Sequence, residues 1–172
     1  MPTIYRHNFT VPPRAIDLQG HVNNQEYLRW MQAVAIAHST AQRWPLERYL
    51  EAGQVWVVRS HYIEYLSPAF ENETLSLYTW VADINEKRST RKYLFTRGNH
   101  HQTAARAETL WVFVTLKTGN PCPIPGELRG AFVPMADQRQ VLRRIRNHEV
   151  PPCVPPGLHR RRPPIDGASR LG

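Results

Sequence analysis

Cysteine is scarce: the 172 residues contain two, Cys122 and Cys153, both in proline-rich stretches. Neither has partners at metal-ligand spacing, and no His, Asp or Glu group recurs at the helical or hairpin intervals that demand a metal. A zinc module is therefore not expected, and no cofactor is implied. The count is compatible with one disulfide, but two thiols in a reducing compartment are the expectation. Long apolar runs are lacking too. No stretch approaches the roughly 18 residues that span a bilayer. The start, MPTIYRHNFTVPPR, lacks the basic, apolar and small-residue order of a secretory signal. The expected location is the cytoplasm.

Acidic side chains are in deficit, giving a net charge of +8. The excess is uneven. Residues 143–172 hold seven arginines against Glu149 and Asp166, so five of the eight surplus charges lie there. The same segment, with six of the fifteen prolines and no apolar periodicity, reads as an extended or disordered appendage. The expected organisation is one domain over residues 1–142 and a Pro/Arg-rich tail over 143–172. Residues 137–146, DQRQVLRRIR, have the pattern of a short helix across that boundary. A basic tail steers nucleic acid, phosphorylated ligands or an acidic carrier protein, or is a solvated end. No helix-turn-helix is visible, so nucleic acid is not the expected partner.

What is present is a core: 41% of residues are hydrophobic and 10% aromatic. IYRHNFTV reads as a strand ended by Pro12-Pro13. NNQEYLRWMQAVAIAHSTAQRW reads as a long helix, with Asn24 as N-cap and Glu26 in the first turn, where negative charge suits the helix dipole. Tyr27, Met31, Val34 and His38 recur at three- and four-residue steps and define its apolar face. PLERYLEAG predicts a shorter helix closed by Gly53. After Gly53 the period drops to two. QVWVVRSHYIEYL, ETLSLYTWVADINE, TRKYLFTRGN and TAARAETLWVFVTLK predict four consecutive strands, the last two joined near Gly98-Asn99. TGNPCPIPGEL then breaks the pattern. Consecutive strands without helical crossovers form an antiparallel sheet, and one dominant helix must pack on it. The fold class is α+β. Long strands with few covering helices leave edges that a homodimer or homotetramer would cover.

Between the first strand and the long helix lies DLQGHVNNQEY, residues 17–27. This motif, D-x-x-G-H-V-N-N-x-x-Y, followed by the helix and a four-strand meander, resembles the hotdog-fold thioesterases. More narrowly it is similar to the 4-hydroxybenzoyl-CoA thioesterase-like acyl-CoA thioesterases, over roughly residues 3–134, including IEYLSPAFENETL and TLKTGNPCPIP. The resemblance implies an antiparallel sheet wrapped around a central helix and hydrolysis of an acyl-CoA or acyl-ACP thioester. It implies that Asp17 acts as general base or nucleophile and that the backbone amide of Asn24 polarises the carbonyl. DLQGHVNN also resembles the D-x-N-x-H-V-N-N pattern of plant acyl-ACP thioesterases, which places His21 in the catalytic set; Gln19 stands where those enzymes have the first asparagine.

The residues support this chemistry independently. A helix N-terminus offers unpaired N–H groups to an oxyanion, and a carboxylate one short loop away can activate water or attack. The competing reading of Asp17 is a loop carboxylate capping Gly20 or a nearby amide. Gly20 suits a positive φ or a close approach to ligand. Asn23 and Asn24 divide between capping the helix and lining the site. Tyr27 is a core residue that also reaches the acyl chain. Arg59, His61 and Ile63 share a strand face by alternation, with Trp56 and Val58 on the other. Arg88, Arg91, Lys92 and Arg97 form a basic cluster expected to meet CoA phosphates, or an ordinary solvated face. His100-His101 read as an exposed turn. Two other functions remain open: a hydratase or dehydratase, for which no histidine lies opposite an acid on the helix, and a non-catalytic acyl-thioester sensor whose tail contacts nucleic acid.

Overall fold

The longest helix, α1 (Asn24–Ala41), begins where Asn23 takes an extended conformation and its side-chain oxygen accepts from the Gln25 amide at 2.9 Å. The N-cap is thus Asn23, one residue earlier than the sequence pattern suggested, and Asn24 is the first helical residue. Its face of Tyr27, Met31, Val34, Ala35 and His38 is buried. The helix ends as Arg43 turns to φ +65° and the Trp44 amide reaches back to the Ser39 carbonyl. Our computed structural model describes residues 1–98 and 102–154. The turn around Asn99–His101 and the tail beyond residue 154 lie outside the described residues.

Around α1 lies one antiparallel sheet. Its strands are β1 (Ile4–Thr10), β2 (Gln54–Tyr65), β3 (Thr74–Ile84), β4 (Arg88–Arg97) and β5 (Gln102–Thr115), in the spatial order β1-β3-β4-β5-β2. Helix α2 (Leu46–Glu51) links α1 to β2, and α3 (Gly126–Gly130) and α4 (Gln138–Arg146) follow the sheet. This is the hotdog arrangement, α+β with the sheet curved about α1. Alternation explains how the sheet is covered. In β3, Leu75 and Leu77 face α1, while Tyr78, Trp80 and Ala82 face away from it. The second face is not left to solvent. Val141 and Ile145 of α4, with Val150, pack onto it and are themselves buried. A third cluster, in which Trp44, Tyr49, Phe113, Leu128 and Phe132 meet, closes the end of the sheet near α2 and α3.

The strand β2 departs from simple alternation. Val58 pairs with Trp111 and Ser60 with Leu110, so Arg59 is an extra residue, a β-bulge. The side of the strand that faces α1 therefore changes parity. Trp56 packs on Phe113 before the bulge, and after it His61 pairs with the buried Thr109 and Ile63 joins the α1 core. The expected face of Arg59, His61 and Ile63 is corrected accordingly: Arg59 stands out of the ladder, and His61 joins the side of Trp56 and Val58.

The packed body also passes the expected boundary at residue 142. Ile145 and Val150 are about 3% exposed, and the Cys153 amide donates to the Arg6 carbonyl at 2.8 Å. Ending the chain after Leu142 should remove two buried side chains, about 3–6 kcal/mol of apolar burial. The shortened chain should therefore unfold at a lower urea midpoint than the full chain. Equal midpoints would show that α4 does not stabilise the sheet.

Candidate active site

The loop before α1 is tied down at several points. Ile16 and Val22 form an antiparallel bridge, the Asp17 amide donates to the His21 carbonyl at 3.0 Å, and the Gly20 amide donates to the Asp17 carbonyl at 3.1 Å. Gly20 sits at φ +83°, which closes this turn and which a side chain would strain. Val22 and Asn23 anchor the exit through their amides to the carbonyls of Ala69 and Ala15. Asp17 is half-buried, and its Oδ1 accepts from the Gln19 amide at 2.8 Å. The carboxylate thus caps its own turn and retains a second oxygen for chemistry. His21 Nδ1 lies 3.4 Å from the Val22 carbonyl, a long contact that leaves the ring weakly held.

At the start of α1 the donors are unequally used. Asn23 accepts from Gln25 through its side chain and from Glu26 through its carbonyl. Among the described residues the Asn24 amide makes no hydrogen bond. Such an exposed donor at the positive end of an 18-residue helix suits a developing negative charge. Tyr65 Oη donates to the Asn24 carbonyl at 3.2 Å and fixes this turn against β2. Tyr27 lies in the core, with edge contacts to Phe95, Tyr65 and Trp30, and burial pushes its hydroxyl up to about 12. It is neutral at physiological pH and acts by packing.

The basic cluster expected on the sheet does not exist as one surface. Arg88 is exposed, whereas Arg97 holds Glu73 through two hydrogen bonds of 2.6 and 2.5 Å, and Lys92 faces Glu108 and Gln138 on the α4 side. Arg91 is only 6% exposed and points inward with Tyr93 and Phe95. A side chain so buried cannot meet a solvent-borne nucleotide phosphate, so the surface role expected of Arg91 is corrected. His61 is exposed on the α1 side of β2, with Nδ1 2.7 Å from Thr109 Oγ1; partial desolvation lowers its pKa.

Deeper in, Arg91 Nη1 donates to His38 Nδ1 at 2.9 Å and to Thr79 Oγ1 at 3.1 Å. His38 Nε2 donates to the Pro2 carbonyl at 2.8 Å, and Gln42 Nε2 reaches the same oxygen. The network escaped sequence reasoning, although its members could be placed. The alternation Arg91, Tyr93, Phe95 and the helical step Val34, His38 both point them inward. Burial first, then the Arg91 guanidinium, hold the His38 imidazole down to about 3. The unfolded chain would take up this proton near pH 6.5 and the folded chain only near 3. The His38 contribution to folding stability is therefore constant above pH 6.5 and is lost as pH drops from 6.5 towards 3, by roughly 2–5 kcal/mol. Urea midpoints measured between pH 7 and pH 4 should show this slope, and His38→Gln should flatten it. An unchanged slope in the variant would assign the effect elsewhere.

Beside this network is a cavity of about 250 Å³ between α1, α2 and the sheet, lined mainly by apolar side chains, with Arg91 among them. Among the described residues no group of three or more His, Cys, Asp or Glu side chains is placed to share a metal ion, and no helix is long and apolar enough to cross a membrane.

With this geometry in place, the chain was compared with known proteins. The profile of the thioesterase-like superfamily matches residues 11–132. The long-chain acyl-CoA thioesterase FadM of Escherichia coli (strain K12) is 26% identical over 117 residues, 66% of this chain and 86% of FadM. Among solved structures, the 1,4-dihydroxy-2-naphthoyl-CoA thioesterase Slr0204 from Synechocystis superposes with a TM-score of 0.69 at 18% identity, covering 79% of this chain and 98% of that one. SAV2348 from Staphylococcus aureus, solved in complex with CoA, gives a TM-score of 0.70 at 16% identity, covering 74% of this chain and 80% of its own. At these identities the two structures speak for the shared fold.

Proposed function

Because this chain belongs to the thioesterase-like superfamily, we propose that it hydrolyses an acyl thioester carried on coenzyme A or on acyl carrier protein. The observation that carries this reading is the pairing of a clamped loop bearing Asp17 with the unengaged Asn24 amide at the mouth of α1. In the general-base form, Asp17 takes a proton from water as its oxygen bonds to the carbonyl carbon. The carbonyl oxygen becomes an oxyanion against the Asn24 amide, and the C–S bond then breaks. The thiolate leaves without a strong acid, since a thiol ordinarily titrates near 8.5. In the nucleophilic form, Asp17 itself bonds to the carbon, the C–S bond breaks to release the thiolate, and water cleaves the resulting anhydride to give the free acid and Asp17. His21 borders the same loop and positions the water. Gly20 and Asn23 shape the turn that holds both partners.

The reading extends to a homodimer in the cytoplasm. Val57, Val58 and Tyr62 are exposed along the β2 edge, and Leu28, Ile36, Leu46 and Leu50 are exposed on α1 and α2 beside it, an apolar surface that a second copy would cover. The acyl chain runs along this side of α1, past Trp56, Val58 and His61. Of the cations expected to line the site, Arg88 and Arg59 are exposed and meet the nucleotide end. Thiol release from short, medium, long and aromatic acyl-CoAs, repeated with acyl-ACP, tests the proposal. Turnover of at least one class is expected; a folded protein that turns over none would refute it. The Asp17–Gln19 capping bond supports a second reading, a non-catalytic acyl-thioester binder. Saturable binding of an acyl-CoA without thiol release would select that one.

A further inference from the structure

Arg91 is a buried cation with no counter-ion among the described residues. The ion pairs among the described residues join other partners, such as Arg97 with Glu73, Lys92 with Glu108 and Arg48 with Glu127, and none includes Arg91. Its two hydrogen bonds go to neutral acceptors, and both leave from Nη1. One acceptor is His38 Nδ1, in a ring that burial and the Arg91 guanidinium keep neutral and whose one N–H, on Nε2, donates to the Pro2 carbonyl. The edge of the guanidinium formed by Nε and Nη2 makes no hydrogen bond among the described residues. That edge is the fork that pairs with a carboxylate through two parallel bonds. An apolar side chain at this position would avoid the penalty of burying an unpaired charge, several kcal/mol per ion. The Phe132 ring, its centroid 5.7 Å from the guanidinium carbon, offsets part of that cost, and a ligand carboxylate on the unengaged fork would offset the rest.

The surroundings indicate what kind of ligand. Arg91 lines the cavity of about 250 Å³ whose other walls include Ile36, Leu46, Val55, Trp56 and Phe132. Trp111 lines the same space with its ring. The cavity therefore offers a mainly apolar sleeve with one cation, Arg91, and no carboxylate on its lining. It also lies on the path of the proposed acyl chain. Asn24, Leu28, Gln32 and Ile36 succeed one another at four-residue steps on α1, and Gln32 and Ile36 already line the cavity. From the Asn24 amide to the level of Ile36 is about 18 Å along the helix axis.

We propose that this cavity takes the far end of a long acyl chain that terminates in a carboxylate, with Arg91 as its ion-pair partner. The substrate class is then an ω-carboxyacyl thioester, the mono-thioester of a long-chain dicarboxylic acid. The inference rests on the hydrolase reading above, since it takes the thioester end of the chain to be held at Asn24.

The test compares two thioesters of equal chain length, hexadecanedioic acid mono-CoA thioester and hexadecanoyl-CoA, by kcat/KM. The wild type should prefer the first by roughly 10- to 100-fold, the range of one charge-assisted pair. Arg91→Met should bring the ratio to about one, and Arg91→Lys should restore part of it. Arg91→Lys, which keeps the charge and loses the fork, serves if Arg91→Met does not fold: its ratio should fall below that of the wild type and stay above one. Equal turnover of the pair by the wild type, or a preference that survives Arg91→Met, overturns the proposal. Arg91-dependent binding of free hexadecanoic acid without that preference would also overturn it, assigning the fork to a fatty acid held in reverse. Calorimetric binding of both thioesters separates the two readings. If neither is hydrolysed but the dicarboxylic one binds more tightly through Arg91, the hydrolase reading fails and the anion site stands.

Discussion

Asp17→Asn is expected to lower kcat/KM for the best thioester substrate by about 100- to 10,000-fold, the range of a lost general base or more. The substitution is informative because of what it keeps. The asparagine side-chain oxygen still accepts from the Gln19 amide, the bond that Asp17 Oδ1 makes at 2.8 Å, so the turn retains its cap. The other ties of the loop, from Asp17 to His21 and from Val22 to Ala69, are backbone bonds that no side chain supplies. Thermal midpoints of wild type and Asp17→Asn should agree within a few degrees. Asp17→Ala loses both charge and cap, so its melting point should fall as well, by the few degrees that about 1 kcal/mol represents in a chain of this size. Thiol release checks activity, and a melting curve checks the fold. Normal turnover by a folded Asp17→Asn would reduce the carboxylate to a turn cap.

The largest effect on stability is expected from Phe95→Ala. Phe95 is fully buried on β4, with its ring centroid 5.0 Å from that of Tyr27 in an edge contact and 6.4 Å from that of Trp30. It is the point at which the first turns of α1 rest on the sheet. Truncation should destabilise the fold by about 3–5 kcal/mol and lower the melting point by roughly 6–20 °C. Because Tyr27 lies three residues from Asn24, activity of the surviving folded fraction should fall too. A melting point within a couple of degrees of wild type would mean that the aromatic cluster does not dock the helix.

The parts of the fold that depend on period were legible in the chain. The four- and three-residue steps through Tyr27, Met31, Val34 and His38 placed α1, and the period-two runs after Gly53 placed β2 to β5 in one antiparallel sheet. The motif around Asp17 located the loop that meets the helix. What stayed hidden depends on pairing. The Arg59 bulge is defined by which β5 residues face Val58 and Ser60, and a single strand carries no record of its partner's register. The role of α4 was hidden for the same reason. Its arginines gave it the look of a tail, while Val141 and Ile145 acquire meaning only against Tyr78 and Trp80. Arg91 was misread because charge was weighed above position; its neighbours Tyr93 and Phe95 set the side it occupies.

The bulge at Arg59 acts as a one-residue phase shift within a single strand. Upstream of it, even-numbered positions look towards the central helix; downstream, odd-numbered positions do. Removing Arg59 alone would leave Val58 and Ser60 as successive partners of Trp111 and Leu110, a regular ladder in which His61, Ile63 and Tyr65 still face the helix. Ironing out the bulge with the chain length unchanged would instead pair Arg59 with Leu110 and turn half a wall inside out.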